Sequence, residues 1–447
     1  MFRVFCLVLF LLGLAPTAQA QQLLIRDAEI EGMLRSWSTP LIRAAGLDPQ
    51  AVKLILVQSN DVNAFVAGGQ NIFLYTGLLL KAERPEEILG VIAHELGHIA
   101  GGHLVRGTEE MNRASYEVML GTILGIGAAA VSGSGQVGAA VLGGSAHLTQ
   151  RRVLAFSRTQ ESAADQAGLR FMTEAGVNPM GLATFMQKLA DQELLPTSQQ
   201  NEYLRTHPLS RDRVATLAAA AEASPLRTQT SPEAMVEGFA RMRAKLIGFI
   251  TPQQVLWAYP DADRSIAAET ARTIAAYRLN QYDEAVRLGQ GLISREPKNP
   301  FVHELLGQIH YDQGRIDRAV PLYARAVELA PREPLLKLAY AQALAEQPRP
   351  KAADLNRAAD LLGQVRLAEP RNTRVLRLLA TIRGAQGAEP EAQYWLAEEA
   401  FLQNRHDEAR RLAERAAQKL PADSPIRRRV LDLTLQLDQV KAREQKD

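Results

Sequence analysis

The sequence predicts an α+β, mostly helical domain carrying a small sheet, followed by an all-α solenoid. Three observations lead there. The chain has 447 residues, too long for one ordinary core. Its first half mixes helical periodicity with short strand-like apolar runs bounded by turn residues. Its second half repeats a helical hairpin with a period of 34 residues. The apolar fraction of 47% is that of a globular protein, and a net charge of +2 argues against nucleic acid as the main partner.

Residues 1–20, MFRVFCLVLFLLGLAPTAQA, read as a signal peptide: Arg3 at the start, an apolar core from Val4 to Leu14, and Ala18-Gln19-Ala20 as the cleavage site. The apolar run is about eleven residues, short of the roughly 20 needed to span a bilayer. The only cysteine, Cys6, lies in this segment, so a mature chain from Gln21 has neither disulfides nor a cysteine nucleophile. Export to a bacterial periplasm is the expectation.

Residues 28–46 are expected to be helical and KLILVQS (53–59) a strand. The stretch 63–79 reads as two strands around Gly68-Gly69. Glu86 to Gly101 is a helix, with Pro85 at its entrance and Gly101-Gly102 as its stop. A turn-rich stretch, SPLRTQTSPE (224–233), starts a linker. The first domain is therefore expected at 21–224, a linker helix and connector at 225–265, and the solenoid at 266–442.

In that solenoid Pro297, Pro331 and Pro370 each end a helix, and Ala285, Ala319 and Ala358 fall at one equivalent position. Leu306-Gly307, Ala319, Tyr323, Ala326 and Pro331 match the tetratricopeptide (TPR) signature. The third unit carries an insertion near 347–351, and a unit ending at Pro421 is expected in phase with the others. Small residues are required where the two helices of a repeat cross closely, and the concave face of such an array docks a partner or client.

The chemistry is concentrated in VIAHELGHIAGGH (91–103). His94-Glu95-Leu96-Gly97-His98 is HExxH on a helix, so both imidazoles face one ion and Glu95 reaches a metal-bound water as general base. Such groups left unpaired on an apolar helix would be strongly destabilising. Zinc needs a third protein ligand. His103 is one residue short of the HExxHxxGxxH spacing, where Leu104 stands. On a continued helix it would lie about 140° round from His98, so it reads as structural. The better candidate is FSRTQESAADQAGLRFM (156–172), a helix with small residues on one face and two acids four apart. Glu161 would be the third ligand, and Asp165 would accept the free N–H of a ligating histidine.

HELGH followed by SRxxExxAD resembles the gluzincin metallopeptidases that include the HtpX heat-shock proteases and the CAAX prenyl proteases, in the soluble, exported branch with a C-terminal TPR domain. Asn63-Ala64-Phe65 and IFLYTGLL resemble that family's substrate-edge strand, which implies that Asn63 and Phe65 bind substrate. THPLSRDR (206–213) resembles its HPxxxxR element. The resemblance implies one Zn2+ per chain on His94, His98 and Glu161, peptide hydrolysis with Glu95 as base, and His207 or Arg213 as donor to the tetrahedral oxyanion. Because His207 precedes Pro208 on a polar loop, it is also a candidate fourth ligand that plugs zinc's open position. The implied partners are the β-barrel assembly machinery, through the TPR domain, and misassembled outer-membrane proteins as substrates. Two rivals remain, a TPR scaffold or chaperone with a latent or inactive protease domain and an integral-membrane protease. The second would need residues 116–148 to span, yet their two apolar halves, broken by Gly-Ser-Gly, are short for that. A peripheral membrane contact or an active-site flap are the readings left for that segment.

Overall fold

The computed structural model describes residues 23–103, 158–190, 202–207 and 209–444. The signal peptide and the 116–148 segment, with the readings made of them, lie outside the described residues.

The first domain is built on a four-stranded sheet in the order β1-β2-β4-β3, formed by β1 (Leu23–Ile25), β2 (Lys53–Gln58), β3 (Ala64–Ala67) and β4 (Asn71–Tyr75). β2 and β4 run parallel, with Lys53 opposite Asn71, and β3 pairs antiparallel with β4, Ala64 opposite Leu74. Gly68 and Gly69 make the β3–β4 turn with φ of +61° and +97°, a backbone that favours glycine. This leaves β3 as an edge. The end of the 63–79 stretch is not strand, since Thr76–Lys81 forms helix α2.

Two helices cover the face of the sheet. They are α1 (Ala28–Ala44) and α3 (Pro85–Ala100), and α3 is buried at every residue from Pro85 to His98. Ile88, Leu89, Ile92 and Leu96 of α3 share one core with Leu34 and Leu41 of α1 and with Leu56, Ile72 and Leu74 of the sheet. Each such side chain contributes about 1.5–3 kcal/mol on burial, so the helix carrying HExxH is the most firmly held element of the domain. Helix α4 (Arg158–Glu174) crosses α3 at backbone contact. A Cβ on Gly97 would stand 2.7 Å from the carbonyl oxygen of Ala164, and one on Gly168 3.1 Å from the nitrogen of His94. Helices α5 (Met180–Ala190), α6 (Glu202–Thr206) and α7 (Arg211–Glu222) complete the layer.

The expected linker helix is not a linker. Helix α8 (Glu233–Ile250) packs Phe239, Met242 and Leu246 into the first core, and Arg243 donates to the carbonyls of Leu80 and Ala82. Its other side faces the repeats, where Ala244 and Ile247 pack with Ala267 and Ala271 and a Cβ on Gly248 would meet Ile274 at 2.9 Å.

Ten helices follow, from α9 (Ile266–Arg278) to α18 (Pro425–Glu444). Ala285, Ala319 and Ala358 are fully buried at helix crossings, and a Cβ on Gly307 would meet the Tyr323 ring at 3.0 Å. The unit ending at Pro421 is out of phase. Pro421 lies 51 residues after Pro370, half a repeat beyond one period, because three helices rather than two, Thr373–Ala385, Glu389–Leu402 and His406–Lys419, stand between these prolines. That unit pairs Glu389–Leu402 with His406–Lys419.

The two domains meet at the start of α1. Ala28 belongs to the core of the repeats, and Arg26 pairs with Glu369 at 2.6 Å. Lys245 of α8 reaches Asp27 at 2.7 Å and Glu29 at 3.2 Å, while Arg241 bridges Glu29 at 2.8 Å and Glu296 at 3.2 Å. A cleft of ≈ 420 Å³ opens here, lined by Arg26, Glu29, Arg241, Lys245 and Glu304. The donor cluster described next lies apart from this junction.

Candidate metal centre

Three elements deliver the site. Helix α3 brings His94 and His98 one turn apart, α4 brings Glu161 over them at the Gly97–Ala164 contact, and the residue after α6 brings His207. All four are at most 1% exposed. One donor atom from each lies within 4.8 Å of every other.

Four ligands arranged tetrahedrally at about 2.0–2.1 Å from zinc stand about 3.3–3.4 Å apart. His94 Nε2 is 3.1 Å from His98 Nε2 and 3.4 Å from His207 Nδ1. The Glu161 carboxylate lies 3.5 Å from His94 Nε2, 3.4 Å from His98 Nε2 and 3.3 Å from His207 Nδ1. The Glu161 contacts are shared between its two oxygens, Oε2 towards His94 and Oε1 towards His98 and His207, and all these separations are close to those around one zinc ion. Unlike charges on the partners add to the case. Burial opposes a charge on His94, yet its hydrogen bonds to Asp165 and Glu161 outweigh this and push its pKa up to about 10. A field that would hold a proton there also favours a metal cation. Glu161 sits well below the usual carboxylate range, because His207 and His94 overcome the effect of burial. Burial, with His94 and His207 beside it, pushes His98 well down towards the neutral form a ligand needs.

A second layer orients these donors. His94 Nδ1 lies 2.9 Å from Asp165 Oδ1, so Asp165 accepts its N–H and turns Nε2 towards the metal. Arg213, a candidate oxyanion donor, is held by the same carboxylates. Its Nε and Nη2 fork onto Asp165 at 2.8 and 3.0 Å, and Nη1 lies 3.2 Å from Glu161. In this arrangement it braces both carboxylates.

His103 lies outside the cluster of donors, and its Nδ1 stands 2.9 Å from His98 Nδ1, where it holds the ring of that ligand. It reaches that place because α3 stops at Gly101 and Gly102 turns the chain back with φ +62°. A Cβ on Gly101 would strike His103 Nε2 at 2.5 Å. The adjacent glycines were the signal that could have revealed this contact.

Glu95 stands beside the donors, 1% exposed, with His207 Nε2 3.5 Å from Oε1. Neither of its oxygens has a hydrogen-bond partner among the described residues. Burial pushes its pKa up, with His207 and His94 pulling the other way. Asn63 is buried just ahead of the edge strand, its amide donating to Glu202 at 3.2 Å and its oxygen accepting from Thr206 at 3.4 Å. Phe65 stacks on Phe73 at 5.0 Å in a second apolar cluster, away from the histidines.

Residues 28–221 match the sequence model of peptidase family M48, and residues 251–409 that of the cytochrome c-type biogenesis protein H TPR domain. The chain carries an M48 metallopeptidase domain. The beta-barrel assembly-enhancing protease of Escherichia coli (strain K12) is 28% identical over 345 residues, covering 75% of this chain and 69% of the relative. The protein of the same description from Yersinia pestis is 28% identical over 375 residues, covering 81% and 74%. The metalloprotease LoiP of Escherichia coli (strain K12) is 33% identical over 178 residues, 39% of this chain and 66% of the relative. The M48 site is a zinc site: its two imidazoles, one carboxylate and third imidazole form a nitrogen-rich, thiol-free set of the kind zinc takes. No helix among the described residues is long and apolar enough to cross a membrane.

Proposed function

We propose that this protein is an exported, periplasmic zinc endopeptidase of outer-membrane quality control. Misassembled β-barrel proteins would be its substrates and the barrel assembly machinery its partner, bound through the TPR domain. The relatives described as beta-barrel assembly-enhancing proteases, which align across both domains, support this reading. The observation that carries the catalytic part is the convergence of His94, His98, Glu161 and His207 within 4.8 Å beside a buried Glu95 whose oxygens have no hydrogen-bond partner among the described residues.

Bound zinc supplies a Lewis acid that makes water more acidic and polarises a carbonyl. The chain's own residues do the rest. Glu95 takes a proton from the attacking water and returns it to the leaving amine. Asp165 fixes the His94 tautomer, Arg213 holds Asp165 and Glu161, and His103 holds His98. The outer edge of β3, which pairs with no further strand among the described residues, offers a backbone for an extended client to pair with, and Asn63 and Phe65 mark its start.

His207 decides whether the enzyme is open or latent. Its Nδ1 lies among the metal donors, which supports its role as a fourth ligand closing the site in the manner of a structural zinc centre. The test is metal analysis of the purified protein alongside casein cleavage. Glu95→Gln should keep stoichiometric zinc and lose cleavage, and Glu161→Ala should lose zinc. His207→Ala should raise cleavage with zinc retained. A His207→Ala enzyme that keeps its zinc and falls roughly 10²–10³-fold in turnover would make His207 an oxyanion donor instead.

A further inference from the structure

His207 is delivered by α6, and α6 is fastened to the edge strand by groups that no catalytic role explains. The carbonyl of Asn63 accepts from Tyr75 N of β4, at 3.0 Å. Successive carbonyls of an extended chain point to opposite sides, so that of Val62 points to the free edge. Tyr203 N, in the first turn of α6, occupies it at 3.1 Å. The Asn63 side chain adds two more links, one to Glu202 and one to Thr206. The same helical turn sets His207, whose N–H donates to Tyr203 O at 2.7 Å and whose ring centroid is 4.7 Å from that of Tyr203.

We infer that Glu202 and Thr206 are positioning residues that hold His207 among the metal donors by engaging Asn63, and that an extended client peptide on β3 competes for the same attachment. The inference rests on the reading of His207 as a plug. An incoming strand pairs with the outward groups of Ala64 and Val66, and the next acceptor along that edge is the Val62 carbonyl. The Asn63 amide is the neighbouring side-chain group able to bond a peptide backbone, and a strand laid along this edge takes the space through which α6 reaches Val62 and Asn63. Client binding therefore unfastens α6, and His207 leaves with it. The closed state also carries a built-in weakness, because the Tyr203 hydroxyl is fully buried with no hydrogen-bond partner among the described residues. Opening lets that hydroxyl reach water. The protease is thus restrained until a client of extended backbone is already in place.

The test uses the full chain with Glu202→Ala and Glu202→Gln, the second keeping an acceptor oxygen near Asn63. One measurement is steady-state cleavage of an unstructured fluorogenic peptide. The other is the rate of zinc loss to a chelator in a Glu95→Gln background, with and without that peptide. Glu202→Ala should lower KM about tenfold at unchanged kcat, since saturating substrate opens the wild type in any case. It should also speed zinc loss about tenfold, and peptide should speed loss from the parent but add little in Glu202→Ala. Glu202→Gln should stay close to the parent in both. A fall in kcat at constant KM, or peptide that slows zinc loss, overturns the inference. If His207→Ala activates and Glu202→Ala changes neither readout, the fastening is refuted while the plug stands. If neither variant activates, the plug fails and takes this inference with it.

Discussion

A metal ligand is only as good as what holds its far side. His94 is oriented by Asp165, and Asp165 is gripped by the planar fork of Arg213 at 2.8 and 3.0 Å. A lysine carries the same charge but cannot fork. Arg213→Lys should therefore weaken zinc binding by about 10–100-fold while leaving the fold intact, read by competition with a chromogenic chelator. Zinc affinity equal to wild type would remove Arg213 from the metal's support. At this scale the sequence is a good guide to donors and a poor one to their supports. HExxH names its own geometry because four residues make one helical turn. Glu161 and Asp165 share a face for the same reason. Arg213 and His103 escape this reasoning, as their positions depend on a tertiary contact and on a turn whose direction one glycine sets.

The elements were legible in type and illegible in partner. Periodicity marks which face of 233–250 is apolar, but it says nothing of what covers that face. The structure shares it between the protease core, through Phe239, Met242 and Leu246, and the first repeat, through Ala244 and Ile247. At about 1.5–3 kcal/mol for each buried side chain, losing α8 removes an amount comparable with the whole stability of a domain. A chain ended near residue 225 should accordingly lose its cooperative thermal transition and its zinc, whereas one ended at residue 250 should keep both. Retention of zinc and a sharp transition by the shorter form would show that α8 is dispensable. The third helix between Pro370 and Pro421 escapes by the same limit. All three have the composition of repeat helices, and only their packing shows that three stand where two are expected.

Over the whole molecule, two domains joined through α1 and α8 share one buried charge cluster. Glu304, half-buried against the junction cleft, has its pKa pushed up to about 7 by burial, with Lys245 pulling it down and Asp27 and Glu29 pushing it further up. An acid held above its ordinary value of 4.5 binds its proton more tightly in the folded state. Its contribution to stability is complete below pH 4.5 and is lost as pH rises through about 7. Thermal stability should therefore fall between pH 5 and 8 by a component that Glu304→Gln abolishes, seen as the difference between the two melting curves across that range. Parallel curves for the two proteins would mean that Glu304 is solvated like any surface acid.

The Arg26–Glu369 pair has a consequence in time. Its members are 343 residues apart, so the first strand of the chain is made long before the repeat that clasps it. Closing so long a loop is entropically late whatever the order of synthesis. A chain emerging from its N-terminus completes the catalytic domain first and acquires the clasp only when six of the ten repeat helices have followed. For that interval the nascent enzyme has its cutting centre but not its grip.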